Sequence, residues 1–358
     1  MTDGKTAVMI CGHGSRDRQA IEEFELLARH LRQRLPDHDL DHGFLEFARP
    51  TIRDGLEALR DRGAKRILAL PGMLFAAGHV KNDLPWEINS FAAAHPELTV
   101  TYGRELAIDQ KLLTAAAERI ETAERMSGRS LARADSLLLV VGRGTNDPDA
   151  NSNIAKVTRM LGEGMGFGWA DSAFSGVTRP LVDSALDRLR RLGFPRIVVF
   201  PYFLFTGVLV KRIYQWTDEA AAHHPDIEFL KAPYLRDHPG VIDSFLARLT
   251  ELEGGQPAMN CQLCKYREQT LGYENDVGAV QAGHHHHVRG IGVEDGHAHD
   301  HEHDHDHGHD HGHGHGHDDH GGHHHSHDHG HHHHDDGQSR GGGHHDGGGK
   351  PGRTLRQE

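Results

Sequence analysis

The chain has 358 residues and a formal charge of −13, but its composition changes near residue 254, so the two parts are read separately. Residues 1 to about 253 carry nearly all the apolar and aromatic side chains, enough for two ordinary domains, each with its own core. Residues 284–358 hold 27 of the 36 histidines and 14 Asp plus Glu against 5 Lys plus Arg, with almost no large apolar residue, so this tail is expected to be disordered without metal. The remainder is nearly neutral and has no basic stripe with interleaved aromatics, which argues against a nucleic-acid partner. It has no run of 18 apolar residues and no apolar leader, so no membrane association and a cytoplasmic location are expected.

In chain order, short apolar runs alternate with amphipathic stretches. The pattern predicts strand 6–12, helix 17–34, strand 40–47, helix 51–62, strand 66–73, helix 81–93, strand 98–103 and helix 109–125. Pro50 suits the first turn of a helix, where a missing N–H costs nothing, and Gly63 suits a helix end. The same series then repeats at a constant offset of 130 residues. Gly12-His13-Gly14-Ser15-Arg16-Asp17 lies over Gly142-Arg143-Gly144-Thr145-Asn146-Asp147, Arg49-Pro50 over Arg179-Pro180, Leu74-Phe75 over Leu204-Phe205, and Val80-Lys81 over Val210-Lys211. Strands alternating with helices imply parallel sheets covered by right-handed crossovers. The expected fold is α/β: two similar domains, each a four-stranded parallel sheet flanked by helices, with a cleft between them and a disordered tail. The expected divisions are 1–127, 134–253, a Cys-x-x-Cys segment at 254–283, and the tail at 284–358.

Ligands of open parallel sheets bind beyond the carboxyl ends of the strands. That rule selects His13 after the first strand, Glu46 at the end of the second and His79 after the third. The equivalent positions of the second repeat are Arg143, Gly176 and Leu209, so the scaffold is kept while the candidate ligands and base are not. Two imidazoles and a carboxylate suit cobalt, nickel or zinc, and also proton removal near neutral pH. Read singly, His13 could be a local hydrogen-bonding residue, Glu46 an ion-pair partner for Arg49, and His79 the first residue of a helix. Metal binding needs neutral imidazole, so activity is expected to fall as pH drops through the ordinary histidine value of roughly 6.5.

At these residues the sequence resembles the class II chelatases that act on sirohydrochlorin. The resemblance rests on Gly12-His13-Gly14-Ser15-Arg16, on Leu45-Glu46-Phe47-Ala48-Arg49-Pro50-Thr51-Ile52, and on Leu74-Phe75-Ala76-Ala77-Gly78-His79 leading to Asp83-Leu84-Pro85. It covers residues 5 to 250, in the duplicated arrangement of the long bacterial forms. The resemblance implies a metal chelatase, a lyase of tetrapyrrole synthesis, that inserts Co2+ into sirohydrochlorin on the way to cobalamin. His13 would be proton acceptor and metal ligand and His79 a second ligand; the constellation itself suggests that Glu46 and one imidazole carry away the two pyrrole protons. Arg49 and the loop Leu74, Phe75, Ala76, Ala77 and Gly78 would contact the macrocycle, although short forms often carry an acidic residue where Arg49 stands. Insertion of iron or nickel into the same macrocycle, and a non-catalytic metal-storage or sensor protein, are the competing readings.

Cys261 and Cys264 argue for a metal or redox use. Two thiolates do not fill a four-coordinate site. The resemblance implies an iron–sulfur cluster, shared between the subunits of a homodimer or completed by histidine; a zinc site or a plain dithiol are the alternatives. The His-Asp-Gly tail binds divalent metals with little geometric selectivity and reads as a metal reservoir. In the second repeat, Arg179, Lys211 and the loop from Tyr202 to Phe205 hold substrate carboxylates or serve as scaffold.

Overall fold

A computed structural model describes residues 5–255 together with Gly290, Gly292 and Val293. Cys261, Cys264 and the histidines from His284 onward lie outside the described residues. The first repeat runs β1 (Thr6–Gly12), α1 (Arg18–Arg34), β2 (Asp39–Phe44), α2 (Ile52–Asp61), β3 (Arg66–Pro71), α3 (Leu84–Ala94), β4 (Thr99–Tyr102) and α4 (Gln110–Met126). The second runs β5 (Ser136–Gly142), α5 (Pro148–Met165), β6 (Trp169–Phe174), α6 (Val182–Leu189), β7 (Arg196–Pro201), α7 (Val208–His223), β8 (Glu228–Lys231) and α8 (Pro239–Glu253). Two four-stranded, all-parallel sheets result, with orders β2-β1-β3-β4 and β6-β5-β7-β8. None of the described helices is long and apolar enough to cross a membrane.

Both faces of each sheet are buried, and the period-2 alternation of a strand sends successive side chains into different cores. In β1, Val8 and Ile10 enter a central core while Ala7, Met9 and Cys11 enter an outer one beneath α2 and α3. In β5, Leu138 and Val140 join the same central core, and Leu137, Leu139 and Val141 face α6 and α7. The expectation of a separate core for each domain therefore needs correction. α1, α4, α5 and α8 form one shared layer between the sheets, and the last helix of each repeat packs on the other repeat's sheet: α4 against β7 and β8, α8 against β3.

Local details also differ from the sequence reading. Pro50 precedes the helix; Thr51 is the cap of α2, accepting from the Asp54 N–H while Asp54 accepts from the Thr51 N–H. Gly63 does lie just past the end of α2. The helix predicted from residue 81 is preceded by a π-helical turn, His79–Asp83, in which the Leu84 N–H reaches the His79 carbonyl. Pro85 has no N–H to give the Lys81 carbonyl, so a regular α ladder cannot run through this turn.

Because α8 belongs to both halves, Phe245→Ala (Phe245 is 1 % exposed) should destabilise the protein by about 3–5 kcal/mol. Calorimetry should show both repeats melting in one transition; two resolved transitions would contradict a shared core.

Candidate metal centre

In the first sheet, β1 and β3 are neighbours whose following loops lead to opposite sides, a switch point where a crevice opens. His13 leaves the end of β1 and His79 opens the π-helical turn after β3. Glu46 is brought to them by backbone: Leu45 N–H donates to the Gly12 carbonyl and Glu46 N–H to the His13 carbonyl, both at 2.9 Å. This approach is so close that Gly14, at φ +95°, has no room for a Cβ against the Glu46 carbonyl oxygen.

The three ligand atoms lie within 4.8 Å of one another. His13 Nδ1 is 2.9 Å from the Gly14 carbonyl and His79 Nδ1 is 2.7 Å from Asp83 Oδ2. Carbonyl and carboxylate oxygens only accept, so both Nδ1 atoms carry the proton in the neutral rings. Both Nε2 lone pairs are then left facing each other, 3.1 Å apart, with the rings nearly perpendicular at 83°. Two lone pairs at this separation repel unless a proton or a cation lies between them. Two nitrogens each ~2.1 Å from one ion stand about 3.0–3.4 Å apart, so the spacing is that of a chelating pair. Glu46 Oε1 is 3.9 Å from His79 Nε2.

Burial pushes His13 down to about 4, and its neighbours His79 and Arg143 add to the effect. His13 is therefore neutral throughout the physiological range, so the fall in activity expected near 6.5 does not belong to it. Burial pushes the Glu46 carboxyl up, with the charges of His79 and Arg143 opposing and that of Asp83 assisting. Glu46, 8 % exposed, is a stronger base than a surface carboxylate.

The remaining expected residues have mixed placements. Arg49 is exposed, with its guanidinium 3.4 Å from Asp54, so Glu46 is not its ion-pair partner. Leu74 and Phe75 are partly buried against the central core, and Phe75 stacks on Tyr202 of the second repeat at 5.8 Å. Ala76 is buried, Ala77 half-buried and Gly78 exposed. Lys211 is held 2.6 Å from Asp17, and its counterpart Lys81 is 2.6 Å from Asp147, a reciprocal pair of contacts between the repeats.

Three contributors escaped the sequence reading. Asp83 orients His79, a role signalled only by its i+4 spacing within a turn that was not foreseen. Arg143, at the His13 position of the second repeat, has a charge that reaches both His13 and Glu46, although its own surroundings partly desolvate it. Phe47 holds a left-handed backbone (φ 60°), and its ring lies 6.5 Å from that of His13 and 4.9 Å beneath the Arg16 guanidinium.

The model of the CbiX family matches residues 7–123 and again 137–252. The chain belongs to the CbiX family. It is 35 % identical over 268 residues to a sirohydrochlorin cobaltochelatase of Priestia megaterium, covering 73 % of this chain and 84 % of that one. It is 28 % identical to a sirohydrochlorin ferrochelatase of Bacillus subtilis, covering 69 % and 92 %. SirB of B. subtilis, solved with Fe3+, superposes with a TM-score of 0.63 at 27 % identity, over 72 % of this chain and all of that one. SirB of B. subtilis subspecies spizizenii, solved with cobalt, gives 0.59 at 26 %, over 71 % and 98 %. The chain is thus similar both to a protein named as a cobaltochelatase and to one named as a ferrochelatase.

Asp83→Asn should weaken cobalt binding at the His13–His79 pair by roughly 10–100-fold through loss of the partner that fixes the His79 tautomer. Cobalt absorption titrated into a chain ending at residue 255 checks this; an unchanged affinity would show that Asp83 does not orient the ligand.

Proposed function

We propose that the chain inserts a divalent metal ion, cobalt as its biological substrate, into sirohydrochlorin, with release of two protons, in cobalamin synthesis. The observation that carries this reading is the pair of converging Nε2 lone pairs beside a buried carboxylate. A storage site would have no need of a base of raised basicity at the same point. Family membership and the relatives' activities support the reaction. Cobalt is favoured by the cobaltochelatase relative and by a tail whose imidazoles suit cobalt and nickel better than iron. The ferrochelatase relative favours a second reading, iron insertion at the same residues.

The chemistry follows from the positions. His13 and His79 hold the ion through Nε2 at the mouth of the crevice. Glu46 accepts one pyrrole N–H proton as metal–nitrogen bonds form, and an imidazole freed as the ion moves to the macrocycle accepts the other before both pass to solvent; the raised basicity of Glu46 makes its transfer easier near neutral pH. Arg143 supplies a cation opposite Glu46, suited to a carboxylate of the macrocycle and to stabilising Glu46 in its ionised form. Phe47 carries the Arg16 guanidinium on its ring and so places a second cation at the rim. Arg49 and the loop Leu74–Gly78 complete the substrate side of this reading, with Gly78 open to the crevice and Leu74 and Phe75 fixing the loop against the second repeat.

The test is anaerobic insertion into sirohydrochlorin followed by absorbance, with cobalt, nickel and ferrous iron supplied in turn. Cobalt should be fastest, and Glu46→Gln should slow it by about 100-fold at saturating metal. Faster insertion of iron would favour the second reading, and no insertion of any metal would contradict both.

A further inference from the structure

Beyond the folded repeats, a short piece of the C-terminal extension is placed against the rim of the metal centre. The Gly290 N–H donates to the Leu45 carbonyl at 2.9 Å, and the Val293 N–H returns to the Gly290 carbonyl at 2.9 Å, closing a turn. Leu45 directly follows β2, the edge strand of the first sheet, and its N–H is already spent on the Gly12 carbonyl of β1. Gly292 lies flat on the Phe47 ring, where a Cβ would collide with Cδ1 and Cε1. Gly290 stands over Thr51, whose Cγ2 is 3.4 Å from where its Cβ would be. Both glycines have positive φ, 62° and 72°, a backbone other residues adopt only under strain. The turn is thus specified twice, by conformation and by close approach, and it rests on Leu45 and Phe47, which flank Glu46, and on Thr51, the cap of α2.

We propose that Gly290, Gly292 and Val293 form a docking clip that fixes the histidine-rich extension at the metal centre, so that ions held by the extension pass to His13 and His79. The inference rests on the chelatase reading above and adds to it how the metal arrives. Its force lies in chain length. His287 stands three residues before Gly290 and His297 four residues after Val293. A chain spans at most ~3.6 Å per residue, which keeps these two residues within about 11 and 14 Å of the clip whatever conformation they take. Measured from Gly255, the last described residue after α8 and 29 residues before His284, a tether could reach up to about 100 Å. Effective concentration falls as about the −3/2 power of tether length, so shortening the tether from 29 residues to 3 raises it roughly 30-fold.

The experiment compares the full chain with Gly292→Ala, with Gly290→Pro, which removes the donated N–H, and with a chain ending at residue 283. Two quantities are read: hydrogen exchange of the amides around residue 290, and insertion rate with cobalt either held scarce by a chelator or saturating. The wild type should protect the Gly290 and Val293 amides; Gly292→Ala should abolish protection of both, and Gly290→Pro, which has no amide at 290, that of Val293. With scarce cobalt both should slow insertion, by up to roughly 30-fold, while all variants match at saturation. A wild type without protection at residue 290 overturns the clip. Substitutions that leave scarce-cobalt insertion intact, when truncation at 283 lowers it, overturn the clip as the delivery device while sparing the reservoir. Truncation without effect overturns the reservoir and the delivery role together. A wild type inactive at saturating cobalt instead overturns the chelatase reading itself.

Discussion

Two imidazole lone pairs aimed at one point, 3.1 Å apart, are the constraint around which the rest of the first repeat is arranged. Such a pair is unfavourable while nothing lies between its members, so the fold must hold each ring from behind. It does so with the Gly14 carbonyl on one side and the Asp83 carboxylate on the other, which fix both tautomers and leave Nε2 free on both rings. The Gly14 turn sits under Glu46 because only glycine allows the two backbones to meet there. The π-helical turn brings His79 and Asp83 to the same side of one loop. Burial then keeps His13 neutral and Glu46 basic. A ligand pair and a base thus arise from a few backbone contacts at one end of a parallel sheet.

Duplication explains how so much of the scaffold serves so small a centre. The second repeat keeps the sheet order, the left-handed residue after its second strand (Val177, matching Phe47) and the glycine turn at Gly144, but not the ligands. Its contributions are indirect: Arg143 extends its charge toward Glu46, and Tyr202 supports Phe75. Lys81 and Lys211 each reach the cap aspartate of the other repeat. These contacts and the exchanged helices make the two halves one folding unit. A half-molecule would expose the central face that α1, α4, α5 and α8 now cover.

What the sequence shows and what it conceals divide along the range of the interactions. The βα series and the 130-residue offset are visible because apolar periodicity is local, and His13, Glu46 and His79 stand out because strand ends can be counted along the chain. The shared central core is not visible, since an apolar helix face does not say which sheet will cover it. Pro50 reads as a first-turn residue from the sequence, but the Thr51–Asp54 capping box starts α2 two residues later, at Ile52. Asp83 and Arg143 matter through distances set by tertiary packing, and the Gly290 turn matters through a carbonyl about 245 residues earlier in the chain, at Leu45.

Whether the two Nε2 atoms share an ion decides what this centre does. Anomalous diffraction at the cobalt edge, from crystals of the protein given Co2+, answers this directly. A peak is expected between His13 and His79, about 2.1 Å from each Nε2, with Glu46 beside it. Cobalt bound elsewhere, with the imidazoles still facing each other and no peak between them, would contradict a shared ion.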